Sequence, residues 1–196
     1  MNSLTLAALS AGYHSHFIRA IPHNAAMQRR HLLCLAALGP LAARPAQALE
    51  TPEGAVVLTV TGRVRSGNHQ AQGESQALFD MAMLERLPQQ SFTTRTPWYS
   101  QPRKFTGPLV RDVLSAAMAQ GSSLKATALN DYRVDIPVDD VQRYDVVLAR
   151  LLDDKPMSVR DKGPLFIIYP FDSNATLRRA LYYTRCAWQL KAIDVQ

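Results

Sequence analysis

An aromatic and cationic stretch without acids, residues 91–107 (SFTTRTPWYSQPRKFTG), has the composition of a ligand-binding segment. Guanidinium groups bind phosphate and carboxylate groups through two parallel hydrogen bonds. Aromatic faces add stacking and cation–π surface. The candidate binding residues here are Arg95, Trp98, Tyr99 and Arg103. The sequence leaves open the alternative that Trp98 and Tyr99 are packing aromatics.

Three other segments place a cation beside hydroxyls, amides or tyrosines. They are NDYR (130–133), SVRDKGP (158–164) and YYTR (182–185), and they add Tyr132, Arg160, Lys162 and Arg185 to the candidate set. If these segments converge with residues 91–107, they form a pocket for a small anionic ligand. The alternative is that each is a separate solvated loop.

Other site chemistry has little support in the sequence. After residue 48 the chain contains one histidine, His69, and one cysteine, Cys186. This inventory gives no paired-histidine or cysteine-rich metal site, and the chain has no glycine-rich phosphate loop. The sequence therefore identifies no metal ligand and no catalytic residue. The acid pairs at 139–140 and 153–154 are interpreted as turn and helix-start residues.

The elements that must position these residues are mostly strands. Alternating or continuous β-branched runs predict strands, whereas apolar residues at helical spacing predict helices from Leu78 to Leu87 and over 109–121. The residues between the first strand and the first helix, 66–75, are predicted to be a loop, and residues 49–54 a short tail. The predicted class is α+β with a mixed or antiparallel sheet. Strands are predicted in the segments 55–64, 91–107, 123–137, 145–152, 164–170 and 186–195.

Charge argues against a nucleic-acid partner. The formal net charge is +6, but residues 1–48 contain four arginines and no acid, which leaves 18 basic and 16 acidic residues in the remainder. A nearly neutral domain lacks the dense cationic surface that phosphate backbones require. Arg103-Lys104 and Arg178-Arg179 are too few to change this prediction.

The first 48 residues are predicted to be a leader. From Met27, two arginines precede a short apolar run, and Ala46-Gln47-Ala48 has the small residues that a signal peptidase reads. We expect a signal peptide over about 27–48, cleavage after Ala48, a periplasmic location and one mature domain over 49–196. The apolar run falls short of the roughly 20 residues of a membrane span, and none is predicted in the mature chain. Translation from Met1 or Met27, and general or twin-arginine export, remain alternatives.

Four segments in order resemble the molybdopterin-binding domain of the sulfite oxidase family. They are KFTGPLVRDVL (104–114), NDYRVDIP (130–137), the run from DVVLA to PLFIIYP (145–170) and CAWQLKAIDV (186–195). The resemblance covers about residues 55–196 and is strongest to small exported molybdopterin-binding oxidoreductases. It implies that domain's fold, and molybdopterin as the cofactor.

The chain departs from that family at the cofactor site. The cysteine thiolate that binds molybdenum in the family falls near Thr94–Thr96, where this sequence has no cysteine. Molybdenum in this family takes a thiolate, and a threonine hydroxyl is a poor ligand for a soft metal. The family's lysine of the closing strand is Ala187 here, and its loop histidine is Lys162.

Two functions follow from the resemblance and its departures. One is an oxidoreductase that holds molybdopterin through unusual ligands. The other is a non-catalytic module that uses the altered pocket for a small anion or for a periplasmic or membrane sensor partner.

Overall fold

A computed structural model describes residues 49–196, so the predicted leader and its cleavage site lie outside the described residues. The described chain is α+β and rich in strands, as the sequence predicts. Its thirteen strands are β1 Val56–Gly62, β2 His69–Ala71, β3 Glu74–Asp80, β4 Gln89–Thr96, β5 Tyr99–Pro108, β6 Ser123–Ala128, β7 Arg133–Pro137, β8 Val147–Ala149, β9 Leu151–Leu152, β10 Lys155–Pro156, β11 Phe166–Ile168, β12 Ala187–Trp188 and β13 Leu190–Val195.

Four short helices and two 3-10 turns connect the strands. The helices are α1 Met81–Arg86, α2 Val110–Ala116, α3 Val138–Arg143 and α4 Ala180–Thr184, and the 3-10 turns are Val159–Asp161 and Ala175–Leu177. Among the residues from 49 onward, no helix has the length and apolar character needed to cross a membrane.

The strands form three sheets. The largest has the order β2-β3-β1-β13-β6-β7, the second β10-β9-β5-β4 and the third β12-β11-β8. The closing strand β13 runs parallel to β1 and antiparallel to β6, so the main sheet is mixed. The predicted mixed sheet is thus confirmed.

The core is formed mainly by strands whose residues are continuously apolar or alternate between buried and exposed positions. In β1, Leu58 and Val60 are buried while their neighbours are partly exposed, which is the alternation of a half-buried strand. All three residues of β11 are buried. Aromatic side chains fill the space around β11, since Phe105, Phe166 and Phe171 are fully buried.

The segment before α1 differs from its prediction. The residues predicted to be a loop form the β2–β3 hairpin, in which His69 pairs with Gln76. The helix begins at Met81 and not at Leu78, because Leu78 and Phe79 continue strand β3. The prediction was wrong because two apolar residues of an alternating strand precede the helix at a spacing that also suits a helix.

Asp80 ends β3 and caps α1. One carboxylate oxygen accepts from Met83 N at 2.8 Å, and the other accepts from Glu53 N and Gly54 N at 2.8 Å each. These backbone donors, Gly54 first, hold the pKa of Asp80 below its ordinary value. Residues 49–54 are therefore anchored to the domain and are not the free tail that the sequence suggested.

Residues 91–107, where the sequence predicts a strand, form a hairpin of two strands. Strands β4 and β5 pair antiparallel over nearly their whole length, with a register shift between Thr94 and Thr96. Trp98 lies in the turn, and Tyr99, Arg103 and Phe105 share one face of β5 because successive odd positions point the same way. This face carries the candidate site.

Candidate functional site

A cavity of about 450 Å³ lies against the start of β5. Strand β5 supplies one wall, the β9–β10 hairpin a second, and the 3-10 turn at Val159–Asp161 with its following residue a third. We call it the cationic cavity, because four of its nine lining side chains are basic and one is acidic. Its lining residues are Tyr99, Arg103, Leu152, Lys155, Pro156, Met157, Arg160, Asp161 and Lys162.

Tyr99 lies between two cations and has an unpartnered hydroxyl. The guanidinium carbon of Arg103 and the ammonium nitrogen of Lys162 each lie 5.3 Å from its ring centre, within cation–π range. The hydroxyl oxygen is buried and forms no hydrogen bond with any residue of 49–196. Burial raises the pKa of Tyr99, with the Arg103 charge opposing that rise. The hydroxyl is therefore protonated at neutral pH and lacks an acceptor among residues 49–196.

The four cations of the cavity are only partly neutralised. Arg103 Nε lies 2.6 Å from an oxygen of Asp153, although its N–H does not point at that oxygen, so the contact is an ion pair without a hydrogen bond. Lys155, Arg160 and Lys162 have no carboxylate within 4.0 Å anywhere in the described chain. The cavity therefore carries net positive charge.

Asp161, the acidic residue in the cavity wall, forms hydrogen bonds within its own 3-10 turn. The hydroxyl of Ser158 donates to Asp161 Oδ2 at 2.8 Å, and Asp161 N donates back to Ser158 Oγ at 3.3 Å. The carboxylate is thus partly satisfied at the turn, which reduces its competition for the nearby cations.

Lys162 occupies a backbone conformation that few residues other than glycine adopt. Its φ is +73°, and such a residue costs on the order of 1–3 kcal/mol unless its surroundings hold it. Gln189 N donates to Lys162 O at 2.9 Å, and a side chain at the next residue, Gly163, would meet Met157 O at 2.1 Å. This conformation places the Lys162 ammonium over Tyr99 and also 5.8 Å from the Trp188 ring centre.

Trp98 belongs to the packing behind the cavity. Its ring makes edge contacts with Phe166, Trp188 and Tyr183 at centroid separations of 5.7, 5.6 and 6.3 Å. Trp98 is therefore a packing aromatic, which is one of the two alternatives that the sequence left open, while Tyr99 lines the cavity. One route from Trp98 to the site is Trp188, whose ring centre lies 5.8 Å from the Lys162 ammonium nitrogen.

The other three sequence candidates lie outside the cationic cavity. Arg95 is exposed on β4, where its N–H donates to Asp172 Oδ2 at 2.8 Å. The Tyr132 hydroxyl donates to Thr184 O at 3.2 Å. Of the four segments expected to converge, two do so, namely residues 91–107 and 158–164. The cavity residues missing from the sequence prediction come mainly from the β9–β10 hairpin and the residue after it, where the only signal was the predicted turn acids at 153–154.

Arg185 is committed to a buried ion pair. Its Nη1 lies 2.6 Å from Asp140 Oδ2, and the buried Tyr169 hydroxyl donates to the same oxygen at 2.9 Å. The prediction of a helix-start acid is right for Asp139 and Asp140, which lie in the first turn of α3. It missed that Asp140 also points inward to this network. Asp153 and Asp154 form the β9–β10 turn, as predicted, with φ of +48° and +62°.

The chain lacks a thiolate where the resemblance would place one. Thr94, opposite Arg103 in the hairpin, is 1% exposed, and its hydroxyl accepts from Asp172 N at 3.0 Å. Cys186 is buried beside α4, and its thiol donates to Tyr182 O at 3.5 Å. Burial raises the pKa of Cys186 far above its ordinary value, so the thiol stays protonated.

The donor groups of the cavity fit an anion and do not fit a thiolate-bound metal. Hydroxyl, guanidinium and ammonium groups all donate hydrogen bonds to oxygen acceptors. In residues 49–196 no three His, Cys, Asp or Glu side chains are grouped so that they would hold a metal ion. Within residues 49–196, the cavity lining supplies no thiolate for the molybdenum that the resemblance implies.

Neither a protein-family model nor a curated protein matches this chain.

Proposed function

We propose that this protein is a non-catalytic module that binds a small oxyanion, built on the fold of the molybdopterin-binding domain of the sulfite oxidase family. The four segments that carry the resemblance form β5 with α2, β7, the β8–β11 region and the closing β12–β13 pair. Their order and the mixed main sheet support this assignment. The buried, hydrogen-bonded Thr94 supports a site that has lost the redox metal.

The observation that carries the proposal is the buried Tyr99 hydroxyl, which has no partner among residues 49–196, beside three cations that pair with no carboxylate of the same residues. A buried polar group left without a partner is destabilising by about 1–3 kcal/mol, so such groups call for an explanation. An anion oxygen in the cavity supplies the missing acceptor. The same anion neutralises Lys162 and Arg160, which otherwise hold their charges close together.

The proposal includes export. Residues 49–196 would act in the periplasm after removal of the predicted leader. Tyr132 and Arg185, which the sequence offered as candidate binding residues, then serve contacts within the domain, and Arg95 lies outside the cavity. The redox alternative would need a metal ligand that the cationic cavity does not supply.

Composition analysis of the purified protein tests whether the redox cofactor is absent. The full chain is expressed in a bacterium that makes molybdopterin, and molybdenum and pterin are measured per chain. We expect molybdenum far below one atom per chain, because no cysteine of residues 49–196 lines the cavity. Pterin without molybdenum would identify the bound anion as the organic part of the cofactor and would keep the non-redox conclusion. One molybdenum per chain would overturn the proposal.

A further inference from the structure

Exposed apolar side chains gather beside the cationic cavity. Across the described chain, six large hydrophobic side chains are exposed, and four of them belong to neighbouring segments. We call these four the apolar rim: Leu129, Tyr132, Val159 and Leu181, which are 45%, 45%, 51% and 52% exposed. Single exposed apolar residues are ordinary on protein surfaces, whereas neighbouring ones form a patch that can bind a partner or a membrane.

Gln189 joins the rim to the cavity. Its carbonyl accepts from Leu129 N at 2.8 Å, and its side-chain amide donates to Val159 O at 2.7 Å. Its backbone N–H donates to Lys162 O, which places the same residue one hydrogen bond from the cavity wall. These bonds hold the turn after β6 and the 3-10 turn at Val159–Asp161 side by side.

The fourth rim residue comes from α4, which has no buried residue. The Tyr132 hydroxyl donates to Thr184 O at the end of this helix, and Thr184 Oγ1 donates back to Leu181 O at 2.9 Å. The end of α4 therefore lies beside Tyr132, and the exposed Leu181 belongs to the same short helix.

Each part of the rim has a cation next to it in sequence. Arg133 follows Tyr132, Arg160 follows Val159, and Arg178-Arg179 directly precede α4. None of these four arginines has a carboxylate within 4.0 Å among residues 49–196. The acid next to Tyr132, Asp131, is paired with Lys191 at 2.8 Å. The segments that carry the apolar rim therefore also carry positive charge that no carboxylate of residues 49–196 pairs.

We propose that this face docks on an anionic phospholipid surface, with the apolar rim at the boundary between headgroups and acyl chains and a lipid phosphate in the cationic cavity. Apolar area and attraction to anionic lipids together determine such interfacial binding, and each basic residue near the surface adds roughly fivefold. A free phosphate would use the cavity but not the rim, so the rim favours a phosphate attached to acyl chains. The phosphate contact rests on the proposed anion site.

Vesicle sedimentation and calorimetry on the same purified protein test this inference. The probes are vesicles of equal parts phosphatidylglycerol and phosphatidylcholine, vesicles of phosphatidylcholine alone, and soluble glycerol phosphate. We expect partition into the anionic vesicles to exceed that into the neutral ones by about tenfold or more, given several cations near the rim that pair with no carboxylate of residues 49–196. Glycerol phosphate should bind in solution as well.

Three variants separate the two halves of the proposal. Val159→Ser with Leu181→Ser is expected to reduce vesicle partition by about tenfold while leaving glycerol phosphate binding intact, because it removes apolar contact only. Lys162→Gln should weaken both. The control, Val56→Ser with Met118→Ser, changes two exposed apolar residues off the rim and should change neither.

Each contrary outcome has a distinct meaning. Glycerol phosphate binding without vesicle binding would overturn the membrane inference and leave the anion site standing, with a soluble or protein-borne anion as its ligand. Vesicle binding that survives the rim double variant, or equal binding to neutral vesicles, would also overturn it. If the wild-type protein bound neither vesicles nor glycerol phosphate, the anion site itself would be overturned.

Discussion

Replacing Lys162 with glutamine is expected to weaken orthophosphate binding by about tenfold or more, and combining it with Arg160→Gln by about a hundredfold. A hydrogen bond to a charged group contributes about 1.5–3 kcal/mol, and each 1.4 kcal/mol is a factor of ten in affinity. Both cations lack a carboxylate partner among residues 49–196, so each is available to the anion. Isothermal titration calorimetry of orthophosphate into the purified protein measures the change.

A lysine outside the cavity provides the matched control. Lys125 lies on β6, on the main sheet, and Lys125→Gln removes the same charge by the same chemical change. It should leave phosphate affinity within about twofold, since screening reduces the interaction of charges separated by more than about 8–10 Å. Equal losses for Lys125→Gln and Lys162→Gln would show that only net charge attracts the anion, and the cavity would not be the site.

Replacing Asp140 with alanine is expected to lower the free energy of unfolding by about 3–5 kcal/mol, because it leaves a largely buried Arg185 without its counter-ion. Asp140 and Arg185 side chains are 11% and 19% exposed. The Tyr169 hydroxyl, which donates to the same carboxylate, loses its acceptor as well. Urea denaturation followed by circular dichroism measures the difference.

A surface ion pair provides the comparison for that result. Asp145 lies 2.6 Å from Arg111 and is 67% exposed, so Asp145→Ala should change the free energy of unfolding by no more than about 1 kcal/mol. If Asp140→Ala were as mild as Asp145→Ala, the network around Arg185 would not be structural. Arg185 would then return as a candidate ligand-binding residue.

The helices and strands could be predicted from the sequence more accurately than the residues at which they begin and end. Strand β1 could be predicted because its β-branched residues alternate between buried and exposed positions. The start of α1 could not, because Leu78 and Phe79 have a spacing that suits both states. Asp80 decides the boundary, and two of its three backbone donors come from residues more than twenty positions earlier in the chain.

The candidate site could be predicted only in part, because it too depends on contacts between segments that are distant in the sequence. Residue type shows that Tyr99, Arg103, Arg160 and Lys162 suit an anion, but only the packing of β5 against the β9–β10 hairpin brings them together. Arg185 has the same chemistry and lies elsewhere, because Asp140 offers it a buried carboxylate. No pattern in the sequence distinguishes a cation that has a partner from one that is free.

The most direct test of an anion site at Tyr99 is a spectrum of the protein labelled with carbon-13 at the tyrosine ζ carbon, recorded as orthophosphate is added. Tyr99→Phe assigns the Tyr99 resonance. We expect that resonance to shift saturably with phosphate, because the Tyr99 hydroxyl gains its acceptor, while the resonances of Tyr132 and Tyr169, whose hydroxyls already have partners, stay in place. A Tyr99 resonance that does not move at saturating phosphate would contradict an anion site in the cationic cavity.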